Sequence, residues 1–321
     1  MPRWLIKATG DPKREASFGT YNWKTNEPKR FSFDQLTFPA CDCCNGHFSQ
    51  LEGEAKIVVG QLLAHEPIGA KDLNRLLDWL DKIRIGMWLG LIQLEGNPWK
   101  IKPSFYIKQR IALHDRSVGI CFITGREPGI NLLGLETPCF GFAPTTMCFL
   151  INQLGLFNSS AIDLCSRRLG FPYFAEAAVR GDGLIEGRMT KGLERILRPI
   201  ERMGEAPSIP FIYQPIFQRG GPRELYDTEY VQRNSFDFEA GLGAIFLQHS
   251  GQVSKYAEDS SLASMPSTSL SLQEVYRIGR RWVYKKLDLH SLYPGMPRNP
   301  LGSFARLHQR LLLNYEQEMR L

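Results

Sequence analysis

The sequence predicts an α+β fold, with a ββα module over residues 1–66 ahead of a helical and then mixed α+β region over 67–249. Three observations predict it. Apolar residues alternate with turn signals before residue 40, recur at three- and four-residue spacing after residue 45, and break into short runs bounded by Gly or Pro past residue 97.

In order along the chain, Ser17–Trp23 and Arg30–Phe33 flank the turn-like Asn26-Glu27-Pro28 and predict a β-hairpin with basic edges. From Asn45, the positions Phe48, Leu51, Ala55, Val58, Val59 and Leu62 predict an amphipathic helix. Leu73, Leu76, Leu77, Leu80, Ile83, Met87, Trp88 and Leu91 form the clearest helical stripe, stopped at Gly96-Asn97-Pro98. Beyond it, Val118–Thr124, Met147–Phe157, Ile209–Phe217 and Ala244–Gln248 predict strands, and Ser160–Leu169 and Lys191–Arg202 predict helices. Residues 250–271 carry eight serines and predict an exposed linker or loop. C-terminal helices follow within 272–321, a basic one at Leu272–Leu287 and an amphipathic one at Leu301–Glu318.

Bulk properties bound the function loosely. The 321 residues are 43% hydrophobic and 22% charged, enough for a sizeable core, and Lys plus Arg exceed Asp plus Glu, 39 against 33. That excess suits a polyanionic partner and is also common among proteins that have none. Seven cysteines, an odd number with three of them at Cys41, Cys43 and Cys44, point to a reducing cytoplasm and a metal or thiol role, not a disulfide framework. The most apolar helical stretch, Ile83–Leu94, contains Arg84 and Gln93 and is too short to span a bilayer, so no membrane partner is expected.

The informative stretch runs from Phe38 to Glu52. Cys41 and Cys44 stand at Cys-x-x-Cys spacing between a predicted strand and a predicted helix, which suits two ligands of a tetrahedral Zn²⁺. The same spacing fits a redox pair whose thiolate the helix start stabilises, or an accident of a cysteine-rich turn. Asn45 and then Ser49, Leu51 and Glu52 follow the pair, and Pro2-Arg3-Trp4-Leu5 opens the chain. Together these two motifs resemble the HNH endonuclease family, in the branch ending in Cys-x-x-Cys-Asn and a short helix with Ser-x-Leu-Glu; the resemblance covers about the first 95 residues.

The resemblance implies metal-assisted phosphodiester hydrolysis of DNA or RNA. It gives Cys41 and Cys44 to a structural zinc and the side-chain oxygen of Asn45 to a catalytic Mg²⁺ or Mn²⁺, although Asn45 equally suits the N-cap of the helix. The family's acidic-His pair would fall just ahead of Met1, and its first Cys pair further upstream still. His47, His65, His114, His249, His290 and His308 are scattered; His47, one short turn from Asn45, is the substitute candidate for the catalytic base.

Two basic patches are candidates for phosphate contact. Arg3, Lys7, Lys24 and Arg30 belong to an N-terminal stretch interleaved with Trp4, Phe18, Tyr21 and Trp23, and Arg277, Arg280, Arg281, Lys285 and Lys286 to the basic helix. The alternatives are an inward-packed hairpin with a solvated face and, for the helix, cations spread around much of its cylinder. Gly181-Asp182-Gly183 and Gly220-Gly221-Pro222 are turns outside any strand-to-helix phosphate loop, so no nucleotide fingerprint is expected. Two function classes result: an HNH-type nuclease or a shortened form of one, and a non-catalytic nucleic-acid-binding or scaffold protein that keeps the knuckle and engages protein partners.

Overall fold

The structure, a computed structural model, describes residues 2–11, 13–22, 27–32, 42–94, 115–135, 140, 144–161, 165–179, 185–192, 209–216, 223–226, 228–237, 239–256 and 266–285. Within these residues the chain is mixed α+β, built around a large and mainly antiparallel sheet.

A short helix α1 (Arg3–Ala8) is followed by the hairpin β1 (Glu15–Asn22) and β2 (Glu27–Ser32), then by the long helices α2 (Asp42–Leu63) and α3 (Ala70–Leu94). The sheet strands are β3 (Asp115–Thr124), β4 (Ile130–Leu133), β5 (Thr146–Ile151), β6 (Leu154–Ala161), β9 (Phe211–Gln214), β12 (Phe246–His249), β13 (Gln252–Lys255) and β14 (Ser269–Ser271). Their order is β13-β12-β9-β3-β6-β5-β4, antiparallel throughout, with β14 pairing parallel to β3. Separate two-stranded units are β7 (Tyr173–Val179) with β8 (Ile185–Thr190), and β10 (Ser235–Asp237) with β11 (Leu242–Gly243). The short helices α4 (Arg223–Tyr226) and α5 (Glu229–Asn234) precede the last described helix, α6 (Leu272–Lys285).

Period-two alternation along the strands divides the core in two. Val118, Ile120, Phe122, Met147, Phe149 and Ile151 share one cluster with Leu5, Val58, Val59, Leu62 and the α3 stripe. Cys121, Ile123, Cys148, Leu150 and Phe157 share the other with Val275, Ile278 and Trp282 of α6. The sheet is therefore covered on both faces, by α1–α3 on one and α6 on the other. Residues of 1–66 lie in the same core as β3 and β5: Trp4 stacks on Trp79 at 5.8 Å, and Trp79 on Phe149 at 5.8 Å.

Several expected elements differ. Met147–Phe157 is a hairpin, not one strand, reversing at Asn152 with φ 51°, a conformation Asn tolerates better than most residues. Ser160–Leu169 is not a helix: Ser160 belongs to β6, and Ser166–Arg168 make a single 3₁₀ turn. Long-range partners override helix propensity there, because the Ser160 hydroxyl bonds Arg84 and Asp81 while Ser166 is held by Asp115. The serine-rich stretch is not wholly a linker, since β13 and β14 fall inside 250–271 and Tyr256 is buried, its hydroxyl donating to the Ile68 carbonyl at 2.8 Å. Helix α2 starts at Asp42, not Asn45; a carboxylate in the first turn favours that start through the helix dipole. Residues 193–202 and the expected C-terminal helix Leu301–Glu318 lie outside the described residues.

Candidate functional site

The start of α2 is the place where the sequence concentrates chemistry. Because the helix begins at Asp42, Cys43, Cys44 and Asn45 all sit at its positive end, and the N–H groups of Cys43 and Cys44 lack intrahelical acceptors. Asn45 is thus within the helix and not its N-cap. Cys41 and the side chains of Cys44 and Asn45 lie outside what is described. Cys43 is a free, exposed thiol, and His47 is exposed four residues further on, so the two positions stack along one side of the helix.

The turn is held by its neighbours. Glu52 pairs with Lys82 of α3, the Lys82 ammonium lies 4.9 Å from the Phe48 ring centroid, and Glu54 meets Arg75 at 2.6 Å. The Leu-Glu part of the motif therefore has a concrete job: Glu52 and half-buried Leu51 fix α2 against α3. Among the described residues, no group of three or more His, Cys, Asp and Glu side chains converges on a metal-sized site. Cys41, Cys44 and Asn45 amount to two thiols and an amide, with the two sulfurs making half of a tetrahedral zinc shell.

The cationic candidates do not form one surface. Arg3 and Lys7 are exposed on α1, in the layer of α2 and α3. Arg30 is carried by β2, while Lys24 and Lys286 lie outside the described residues. Arg277, Arg280, Arg281 and Lys285 are carried by α6, against the opposite face of the sheet. Val275, Ile278, Gly279 and Trp282 of α6 are buried against the sheet, Arg277, Arg280 and Arg281 occupy positions on the other side of the helix, and Lys285 falls at the position one heptad beyond Ile278.

A buried polar network, unsuspected from sequence, joins α3 to the sheet. Arg84 donates to Asp81, to the Ser160 hydroxyl at 2.5 Å and to the Thr145 carbonyl at 2.5 Å. Arg116 donates to Asp78 at 2.6 Å, Asp81 at 3.4 Å and Gln214 at 2.8 Å, and Gln214 donates to Asn74 at 2.6 Å. Burial pulls the Arg84 guanidinium below its ordinary value, with Asp81 opposing the shift. Nearby, the Asp115 carboxylate accepts from the backbone N–H groups of Cys165, Ser166 and Ile216 and from the Ser166 hydroxyl; burial nonetheless pushes its carboxyl up. Arg84 and Arg116 are 0% and 1% exposed, and their bonds tie α3 to the sheet. A sequence signal existed, since Asp78, Asp81 and Arg84 interrupt the most apolar helix at three-residue spacing, but their partners are remote in the chain.

No protein-family model, no curated protein and no solved structure matches this chain. Among the described residues, no helix is long and apolar enough to cross a membrane.

Proposed function

We propose that the chain is an HNH-type metal-dependent nuclease, or a shortened form of one, whose working module comprises α1, the β1–β2 hairpin and the start of α2. The setting proposed by analogy is bacterial phage defence. The observation that carries the reading is the order of parts: Pro2-Arg3-Trp4-Leu5, an antiparallel hairpin, then Cys41, Cys44 and Asn45 at the mouth of a helix anchored through Glu52. In this reading Cys41 and Cys44 hold zinc, Asn45 offers its side-chain oxygen to Mg²⁺ or Mn²⁺, and His47 serves as the base. Bound there, the divalent ion supplies Lewis-acid stabilisation of charge on the phosphate. Arg3, Lys7, Lys24 and Arg30 contribute phosphate contacts that orient the strand.

The test is cleavage of supercoiled plasmid with Mg²⁺ or Mn²⁺, for the chain as given and for the chain extended by any in-frame codons ahead of Met1. Asn45→Ala and His47→Ala are each expected to reduce cleavage by about 10²-fold or more. Cleavage by both variants equal to wild type contradicts the assignment. The second reading is a nucleic-acid-binding or scaffold protein that keeps the knuckle without catalysis. Plasmid binding with no cleavage in either chain selects it.

A further inference from the structure

The β3–β4 loop, the β5–β6 turn and the first turns of α6 meet at one corner of the sheet. Helix α6 packs on β4 and β5: at Gly279 a Cβ would meet Leu133 Cδ1 at 3.2 Å and Cys148 Sγ at 3.3 Å. Three residues earlier on the helix, the Tyr276 hydroxyl accepts a hydrogen bond from the side chain of Asn131, two residues earlier on β4. Asn152, in the left-handed region at φ 51°, closes the corner. Its N–H donates to the Gly129 carbonyl at 2.8 Å, its side-chain oxygen accepts from the Gly129 N–H at 3.0 Å, and its own carbonyl accepts from the Arg126 guanidinium at 2.8 Å. Arg126 and Tyr276 are thereby held at the same end of β4, and both are half-buried.

The charge on Arg126 has no counter-charge at this corner. Its guanidinium donates to the Asn152 carbonyl, and among the described residues no carboxylate pairs with it. Glu127, exposed beside it in the chain, makes no ion pair with it, and the Glu274 carboxylate is engaged by the N–H and hydroxyl of Ser271 in the α6 cap. The neighbours that act on Arg126 electrostatically are Tyr276 and Cys148, and burial pulls its guanidinium below the ordinary value. On the Nη2 side Gly129 leaves room, since even a Cβ there would stand 3.8 Å away. The Tyr276 hydroxyl accepts from Asn131 and so keeps its own proton to donate. A guanidinium partly withdrawn from water and lacking a counter-ion is stabilised by an oxyanion that takes a pair of its N–H groups. A phosphate group has a further terminal oxygen for a donor arriving from the helix, which a carboxylate lacks. We propose that Arg126 and Tyr276 form a binding site for a phosphate group, the guanidinium pairing with its oxygens from the loop and the tyrosine hydroxyl donating to it from α6. The inference uses no residue of the start of α2 and does not rest on the nuclease reading.

The test titrates the full chain, in buffer without added divalent ion, with inorganic phosphate and with adenosine 5′-monophosphate by isothermal titration calorimetry, against chloride at matched ionic strength. A single saturable phase is expected for wild type. R126Q is expected to bind at least about tenfold more weakly and Y276F about three- to tenfold more weakly. K71Q, at an exposed lysine of α3, is expected to bind as wild type does, and circular dichroism checks that each variant folds. Equal affinity for the two probes assigns the site to free phosphate; tighter binding of the nucleotide, with none of adenosine, assigns it to a phosphate monoester. No saturable phosphate binding by wild type, binding by folded R126Q equal to wild type, an equal loss in K71Q, or tighter binding of acetate than of phosphate overturns the proposal. The titration needs neither zinc nor cleavage, so failure of the nuclease reading is distinguishable from failure of this one.

Discussion

Arg84 and Arg116 set the tightest local constraint. Each guanidinium is removed from water, and each is compensated by Asp81, with Asp78, Gln214 and Ser160 completing the set. Removing one member of such a set leaves a buried charge without its counterpart, which costs about 3–5 kcal/mol. Arg116→Met is therefore expected to lower the urea unfolding free energy by about that amount; a change below about 1 kcal/mol would show that the network carries little of the layer-to-layer attachment. The cysteines give a second residue-scale test. Cys43 is exposed, whereas Cys121, Cys148 and Cys165 are buried, and burial pushes the Cys121 thiol up to about 12. Of these four, iodoacetamide at pH 8 is expected to label Cys43 alone in the native chain, read by peptide mass spectrometry. Because the folded value of Cys121 lies above the unfolded one, the unfolded chain ionises first. The stability it contributes is complete below about pH 8.5 and declines as the pH rises toward about 12. Cys121→Ala is expected to lose less stability than wild type between about pH 9 and 11, in denaturant melts.

At the scale of elements, α6 joins sequence, cap and packing most clearly. Ser271 and Glu274 form a capping box: the Glu274 carboxylate accepts from the Ser271 N–H at 2.8 Å, and the Ser271 hydroxyl accepts from the Glu274 N–H at 3.3 Å. Ser271→Ala is expected to cost about 1 kcal/mol. At Gly279 the outcome depends on size. Alanine gains helix propensity of about 1 kcal/mol, which offsets its tight fit, whereas Gly279→Leu forces the helix off β4 and β5 and is expected to cost about 1–3 kcal/mol or more. A thermal melt in which leucine and alanine behave alike would contradict the close approach. Helices α3 and α6 were legible in the sequence because their apolar residues recur at three- and four-residue spacing with no Pro inside either helix, a pattern strong enough to survive Gly86, Gly90 and Gly279. The β5–β6 reversal was not, because the run Met147–Phe157 is apolar on either side of a turn marked only by Asn152-Gln153. Ser160–Leu169 misled for a different reason: its serines resemble helix-compatible residues locally, while their hydroxyls and amides answer to Asp81, Arg84 and Asp115 far away in the chain.

Across the whole molecule, covering both faces of an antiparallel sheet explains why its central strands read as continuous apolar runs and not as alternating ones: β3 is buried from Asp115 to Ile123. That arrangement also separates the two basic stretches. Arg3 and Lys7 stand in the α1–α3 layer and the α6 arginines in the other, a partition invisible to a reading based on charge spacing alone. The candidate site was legible as a motif, since Cys-x-x-Cys-Asn followed by Ser-x-Leu-Glu can be seen in the letters. That Cys43 and His47 share one exposed side of α2 depended on where the helix begins, three residues before the apolar pattern suggests. The proposal that this turn belongs to a metal-dependent phosphodiesterase stands or falls on the thiolates holding an ion. Elemental analysis of the purified, folded chain is the direct measurement: about one zinc per molecule, lost in Cys44→Ser with the fold checked by circular dichroism, is the expected result, and a folded chain with no bound zinc would contradict it.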